Sequence, residues 1–177
     1  MKKLFALLSV LCLLTVAAVA AFAEAPAQNP INLRNGITFG MTPEQVIAAE
    51  GPNCERDTER TPAFVFTKLE YEHVMDQGVP CELQYIFIDN ALVAVKANYD
   101  KRDASYQEML AQMTALLGEP VPLDPAALGN AIYAVDDDGH PEFGALGFTF
   151  GDMMLVLEND GGDTQVTFMD LSSALAR

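Results

Sequence analysis

The alternation of apolar and polar residues predicts two short helices, each followed by several strands. In the second half of the chain, apolar residues recur three or four positions apart between residues 106 and 117, which is helical spacing. Gly118 and Pro120 end this helix. The stripe consists of Tyr106, Met109, Leu110, Met113, Leu116 and Leu117. Because its methionines lie on a core face, we interpret them as core residues and not as metal ligands.

The first predicted helix has a well-marked start. Thr42 to Gln45 reads Thr-Pro-Glu-Gln, a capping box in which Thr42 is the cap and Gln45 reaches back to the cap amide. Met41 and Val46 flank the cap as a hydrophobic staple, and Gly51 with the proline after it stops the helix. A second capping box is predicted at residues 105–108, with Ser105 as the cap.

Runs of β-branched and aromatic residues predict strands after each helix. In the first half they cover residues 63–71, 83–88 and 92–99, with turns at residues 76–78 and at Asp89-Asn90. In the second half they cover residues 131–135, 145–150, 153–157 and 164–169. No long crossover separates consecutive strands, which favours antiparallel pairing.

The order of helix, strands, helix, strands indicates an α+β protein. We expect two tandem units, each a helix packed on an antiparallel β-meander. The first unit would span residues 33–100, and the second residues 101–177.

The amino terminus predicts export. Two lysines precede an uncharged apolar run over residues 4–22, and the small residues of a cleavage site occur at 21–23. Residues 1–23 are therefore predicted to be a signal peptide, and residues 24–32 a flexible lead-in. The protein is expected to be secreted or held in the cell envelope. The alternative is a retained membrane anchor, since the run is about long enough to cross a bilayer. Cys12 lacks the small preceding residue of a lipidation signal.

The chain is strongly acidic. Its formal net charge is −15, and without the leader eight basic residues face 25 acidic ones, a net charge of −17. This balance argues against nucleic acids and anionic membranes as partners, because both are bound through clustered Lys and Arg. A cationic partner, metal ions or simple solubility would each account for it.

Two cysteines, Cys54 and Cys81, follow the leader. An even number in an exported protein permits one disulfide. The alternative is a pair of unbridged, buried thiols. No Cys-x-x-Cys motif is present, which excludes thioredoxin chemistry and the common zinc ribbons.

Catalytic motifs are missing from the sequence. It has no Gly-x-Ser-x-Gly, no His-Glu-x-x-His and no phosphate-binding loop, and its histidines are His73 and His140. The densest polar cluster is Asp136 to Glu142, which could hold a cation but departs from the calcium-loop pattern. We favour a turn there and at residues 159–163. No catalytic, cofactor-binding or metal-binding residue is assigned.

Residues 33–51, LRNGITFGMTPEQVIAAEG, resemble the start of exported bacterial domains of the β-lactamase-inhibitory-protein-like and SmpA/OmlA (BamE-like) group. In this first segment, Phe39 stands where many relatives carry Trp. Residues 83–92, LQYIFIDNAL, resemble the strand, turn and strand of the same group. The resemblance implies a helix packed on an antiparallel sheet, twice over. It also implies that the protein acts by binding other proteins and not by catalysis.

The sequence therefore predicts an exported, non-enzymatic domain without cofactors. It would bind a partner protein at or outside the cell surface through a sheet face or hairpin loops, with no stable membrane insertion after signal cleavage. The first alternative is a carboxylate-based hydrolase of the cell envelope. The second is a calcium-stabilised structural protein.

Overall fold

A computed structural model describes residues 33–76, 78–123 and 145–172. The first half contains a short 3-10 helix (Arg34–Gly36), helix α1 (Pro43–Glu50) and strands β1 (Glu55–Arg60), β2 (Val65–Asp76), β3 (Val79–Ile88) and β4 (Ala91–Tyr99). The second half contains helix α2 (Tyr106–Leu117) and strands β5 (Val121–Pro122), β6 (Leu146–Phe150), β7 (Met153–Asp160) and β8 (Asp163–Asp170). The predicted leader, the lead-in and the predicted strand at 131–135 lie outside the described residues.

The eight strands form one antiparallel sheet in the order β1-β2-β3-β4-β8-β7-β6-β5. The prediction of two tandem helix-on-meander units is wrong, because the strands of both halves belong to this single sheet. Strand β4 pairs with β8 from Ala94↔Met169 to Tyr99↔Thr164. The physical reason is that an unpaired strand edge leaves backbone donors and acceptors without partners, and joining the two edges satisfies them.

Helix α1 begins as the sequence predicts. The amide of Gln45 donates to Thr42 Oγ1 at 3.3 Å, and the amide of Thr42 donates to Gln45 Oε1 at 2.8 Å. Pro43 occupies the first turn, where its missing N–H costs nothing. Gly51 ends the helix at a φ of 107°, which favours glycine. Val46 is buried, so this short helix is stabilised by contact with the sheet.

Helix α2 differs from its prediction at two points. Ser105 occupies the cap position, but its side chain makes no capping hydrogen bond, so the predicted second capping box is wrong. Met109 and Met113 are buried, which confirms their interpretation as core residues. Leu116 is exposed, although its spacing placed it on the apolar stripe. The stripe is therefore narrower than the sequence pattern predicts.

Two hairpin turns have the backbone that their sequences predict. Asp89 and Asn90 join β3 and β4 with φ angles of 48° and 69°, the left-handed pair required by a type I′ turn. The turn between β7 and β8 contains Gly161 and Gly162, with φ angles of 56° and 105°. The side chain of Asn159, near the end of β7, accepts a hydrogen bond from the amide of Gly162 at 3.0 Å. The site at 159–163 is therefore a turn, as expected.

The two faces of the sheet carry separate apolar clusters. The larger one, which we call the helix-side core, includes Val46 of α1 and Met113 of α2 together with buried residues of β2, β3, β4, β6, β7 and β8. The smaller one, the outer cluster, lies on the opposite face. It consists of Ile86, Ile88, Val93, Ala94, Ala145, Met154, Val156 and Met169. Phe66 of β2 packs against this cluster, and polar side chains cover much of the remaining face across β1 to β4.

Candidate functional site

Strand β1 forms a fully exposed edge of the sheet. All six of its residues, Glu55 to Arg60, are exposed, and within the described chain it pairs with β2 alone. Side chains alternate between the two faces of a strand. Arg56 pairs with Leu69 of the helix-side core, which places Arg56, Thr58 and Arg60 on that face. Three carboxylates therefore share the opposite face: Glu55, Asp57 and Glu59.

The backbone of β1 offers hydrogen-bonding groups to the open edge. The amide of Thr61 donates to the carbonyl of Phe64 at 3.0 Å, in the pair next beyond Arg60↔Val65. Bonded and non-bonded pairs alternate along an antiparallel ladder. Arg56, Thr58 and Arg60 therefore belong to non-bonded pairs, and their N–H and C=O groups point away from β2. We call this strand, Glu55–Arg60, the open edge.

The two faces of the open edge differ in their side-chain partners. On the helix side, Arg56 Nη1 lies 2.9 Å from Glu44 Oε1 of α1, and this contact lowers the pKa of Glu44. On the opposite side, the carboxylates of Glu55, Asp57 and Glu59 have no hydrogen bond or ion pair with the described residues. The free negative charge of the edge is thus concentrated on one face.

A polar surface continues inward from this acidic face. The register aligns Glu55, Glu70, Gln84 and Lys96 in one row across β1 to β4. Gln84 Nε2 donates to Glu70 Oε2 at 3.4 Å and to Glu82 Oε1 at 2.7 Å. These side chains are half-buried, so their positions are held by neighbours before any partner arrives. The polar sheet face, as we name it, consists of Lys68, Glu70, Glu82, Gln84, Lys96 and Asn98.

Lys68 is the cation of the polar sheet face nearest to the open edge. Its Nζ lies 2.7 Å from Glu70 Oε2, and this hydrogen bond raises the pKa of Lys68. The charges of Asp57 and Glu82 act in the same direction. Lys68 is therefore surrounded by more carboxylates than it can neutralise, which leaves an excess of negative charge on this side of the sheet.

A second group of polar residues lies between α1 and the helix-side core. The hydroxyl of Tyr85, which is fully buried, donates a hydrogen bond to Glu50 Oε1 at the end of α1. Asn35 Nδ2 donates to Glu50 Oε2 at 2.9 Å. Arg34 Nε is 2.9 Å from Glu50 Oε1, an ion-pair contact whose angle does not meet the geometry of a hydrogen bond. This cluster joins the 3-10 helix, α1 and β3.

Asp76, at the end of β2, lies in the same interior. Burial raises the pKa of its carboxyl, while the Tyr99 hydroxyl, which donates to Oδ2 at 3.1 Å, and the charge of Arg34 oppose that effect. A raised pKa suits a general acid of a hydrolase. Asp76 is only 6% exposed, however, and its bond to Tyr99 is buried, so the carboxyl is closed to a substrate.

The two cysteines occur as free thiols. Cys81 is buried on β3, and burial raises the pKa of its thiol to about 12. Cys54 is half-buried just before β1. The pKa of Tyr71 on β2 is raised, mainly by burial and to a smaller extent by the contact with Cys54. His73 is 95% exposed on its side chain and cannot serve as a base for the buried Cys81. The described residues thus contain no cysteine–histidine pair.

The remaining sequence candidates take no part in a described site. The cluster at Asp136 to Glu142, with His140, lies outside the described residues. Within residues 33–76, 78–123 and 145–172, no three carboxylate, histidine or cysteine side chains come together as a metal site. Among the described residues, neither α1 with eight residues nor α2 with twelve could span a membrane.

Sequence reasoning missed the open edge. The run Glu-Arg-Asp-Thr-Glu-Arg at residues 55–60 has no apolar alternation, so it gives no strand signal. The available signal was charge alternation: acidic residues occupy every odd position, and the even positions hold Arg, Thr and Arg.

Comparisons with family models, curated proteins and solved structures find no match for this chain.

Proposed function

We propose that this protein is an exported, non-enzymatic domain that binds a partner protein through the polar sheet face and the open edge. The proposed location outside the cytoplasm depends on the apolar leader, residues 1–23. Sequencing the amino terminus of the exported protein tests it, with Glu24 as the expected first residue. An intact Met1 on membrane-bound protein would contradict cleavage.

One observation carries the proposed binding function. One row of polar side chains crosses four adjacent strands, β1 to β4, on the face opposite the two described helices. A row of charged and amide side chains that is held by its own hydrogen bond, Gln84 to Glu70, and keeps partly exposed donors and acceptors offers a preorganised polar surface to another protein. The row of Glu55, Glu70, Gln84 and Lys96 is such a row.

The charge of this surface defines the class of partner. Glu55, Asp57, Glu70 and Glu82 outnumber the cations near them, so the surface attracts basic protein surfaces. It would repel the phosphates of nucleic acids and anionic lipids. The proposed partner is therefore another protein outside the cytoplasm, with a basic contact surface.

Affinity capture tests the proposal. The processed protein would be immobilised and exposed to the exported fraction of its own cells, and the bound proteins identified by mass spectrometry. The test variant removes the row with E70A, Q84A and K96A. The control variant, Q107A and E108A, truncates two exposed polar residues of α2.

We expect the unchanged protein and the helix control to retain one partner that the row variant loses. Retention of the partner by the row variant would place the interface elsewhere. A hydrolase or transferase activity that one carboxylate or cysteine substitution abolishes would overturn the proposal, since a binding domain requires no such residue.

A further inference from the structure

We propose that the open edge accepts an extended, basic segment of the partner protein as a ninth strand of the sheet. This inference rests on the protein-binding function proposed above and identifies the chemistry of the partner. The segment would pair with β1 through its backbone and would carry Lys or Arg at every second position.

The backbone supplies the first part of the argument. The N–H and C=O groups of Arg56, Thr58 and Arg60 point away from β2 along an exposed strand. An extended peptide satisfies such groups by adding a strand, which provides affinity independent of sequence. At the other end of the sheet, the described strand β5 has only two residues and one of them is Pro122, so among the described residues it offers a much shorter edge.

The side chains supply the preference for a basic segment. Glu55, Asp57 and Glu59 share the face opposite the helices, and they have no ion pair with the described residues. A residue directly opposite on an added strand has its Cβ atom about 5 Å from the Cβ atom of such an acidic residue. Lys or Arg at alternate positions of that strand would therefore contact all three. On the helix side, Arg56 is already paired with Glu44.

The charge pattern of β1 disfavours a second copy of this chain as the added strand. Two identical antiparallel edges related by a two-fold axis bring residues of the same face together. In a register centred on Asp57, that residue faces its own copy and Glu55 faces Glu59. In a register centred on Thr58, Arg56 faces Arg60 and Asp57 faces Glu59. Like charges directly opposite are destabilising, so every such pairing is opposed by the charges of β1.

Peptide binding tests the inference directly. The probe is a peptide of about seven residues in which lysine alternates with threonine and valine, blocked at both ends. The control peptide has the same composition but consecutive lysines. Fluorescence anisotropy would give the affinity of the exported protein for each. We expect the alternating peptide to bind about fivefold more tightly or better, since only its lysines lie on one face.

Variants separate the backbone from the charge contribution. T58P removes an amide that points to the open edge, and T58V keeps that amide. E55Q, D57N and E59Q together remove the carboxylates, and D103N, E108Q and E119Q make the same change in charge at exposed positions elsewhere. We expect T58P and the triple edge variant to weaken binding about tenfold, and the two controls to stay within about twofold.

Amide hydrogen exchange adds a positional readout. Bound peptide should protect the amides of Arg56, Thr58 and Arg60 from exchange, and should change those of Glu55, Asp57 and Glu59 much less. Equal binding of the two peptides would overturn the inference. Absence of new protection at the amides of Arg56, Thr58 and Arg60 would overturn it as well. If the native partner is still captured by T58P and by the triple edge variant, the inference fails while the proposed binding function stands. If no partner is captured at all, the binding function itself fails.

Discussion

The hydroxyl of Tyr85 on strand β3 donates a hydrogen bond to the carboxylate of Glu50, the last residue of helix α1. Glu50 lies at the negative end of the helix dipole, an unfavourable position for a carboxylate. Its side chain is only 5% exposed, so water does little to solvate the charge. Arg34 and Asn35 complete its surroundings. The three partners together hold α1 against the sheet.

Replacing Tyr85 by Phe should destabilise the protein by about 2 kcal/mol, because a buried carboxylate then loses a hydrogen-bond donor. Urea denaturation measures this as a lower transition midpoint with an unchanged slope. Tyr106→Phe is the matched control, since the hydroxyl of Tyr106 makes no hydrogen bond with the described residues. Equal loss in both variants would show that the Tyr85 hydroxyl contributes nothing through Glu50.

Asp76 should make the stability of the protein depend on pH. Burial raises the pKa of its carboxyl in the folded state above the ordinary value of 3.8. The folded protein therefore retains this proton to higher pH than the unfolded chain does. The contribution of Asp76 to stability is then fully present below pH 3.8 and is lost as the pH rises through the raised pKa.

Asp76→Asn isolates this effect, because an amide resembles the protonated carboxyl and does not titrate. We expect the free energy of unfolding of the variant, relative to the unchanged protein, to increase between about pH 3 and pH 7. Each tenfold difference in proton affinity between the two states corresponds to about 1.4 kcal/mol. Asp103→Asn is the control at an exposed position. A constant difference across this range would contradict a raised pKa for Asp76.

The turn between β3 and β4 should tolerate glycine and reject β-branched residues at Asn90. Its φ of 69° is left-handed, a conformation that Val adopts only with strain. We expect Asn90→Gly to change stability by less than about 0.5 kcal/mol and Asn90→Val to cost about 1 to 2 kcal/mol. Thermal unfolding followed by circular dichroism compares the two variants. A valine variant as stable as the glycine variant would contradict the type I′ geometry.

Local features of this fold could be predicted because neighbouring residues determine them. Thr42 and Gln45 cap each other across three positions, and Asp89-Asn90 determines its own turn. At Ser105 the same reasoning fails, because the cap depends on a side-chain rotamer that the sequence does not show.

The join between the two halves could not be predicted. It requires Ala94 to pair with Met169, and nothing in either strand's pattern identifies the other as its neighbour.

The open edge was missed for a related reason. The run from Glu55 to Arg60 has weak strand propensity, and it becomes a strand by pairing with β2. Its place at the edge is a property of the strand order, and so is its capacity to bind.

The position of β2 between the two cysteines bears on the disulfide that the sequence permits. Cys54 directly precedes β1, and Cys81 lies on β3, so two strand spacings of about 4.8 Å separate them. Bridged cysteines need Cα atoms within about 7 Å of each other. We therefore expect both thiols to stay free even when the protein is exported to an oxidising compartment.

Alkylation by iodoacetamide at about pH 8 should then modify Cys54 and spare Cys81 in the folded protein, because thiolate is the reactive form. Burial that raises the pKa of Cys81 to about 12 keeps that thiol protonated, and Cys54 is the more exposed of the two. Intact-mass spectrometry without reductant measures the number of modified thiols. Cys54→Ser should remove labelling of the folded protein and leave one reactive thiol in urea. An unmodified mass in urea, restored to two labels by reductant, would show a Cys54–Cys81 bridge and a different arrangement of β1 to β3.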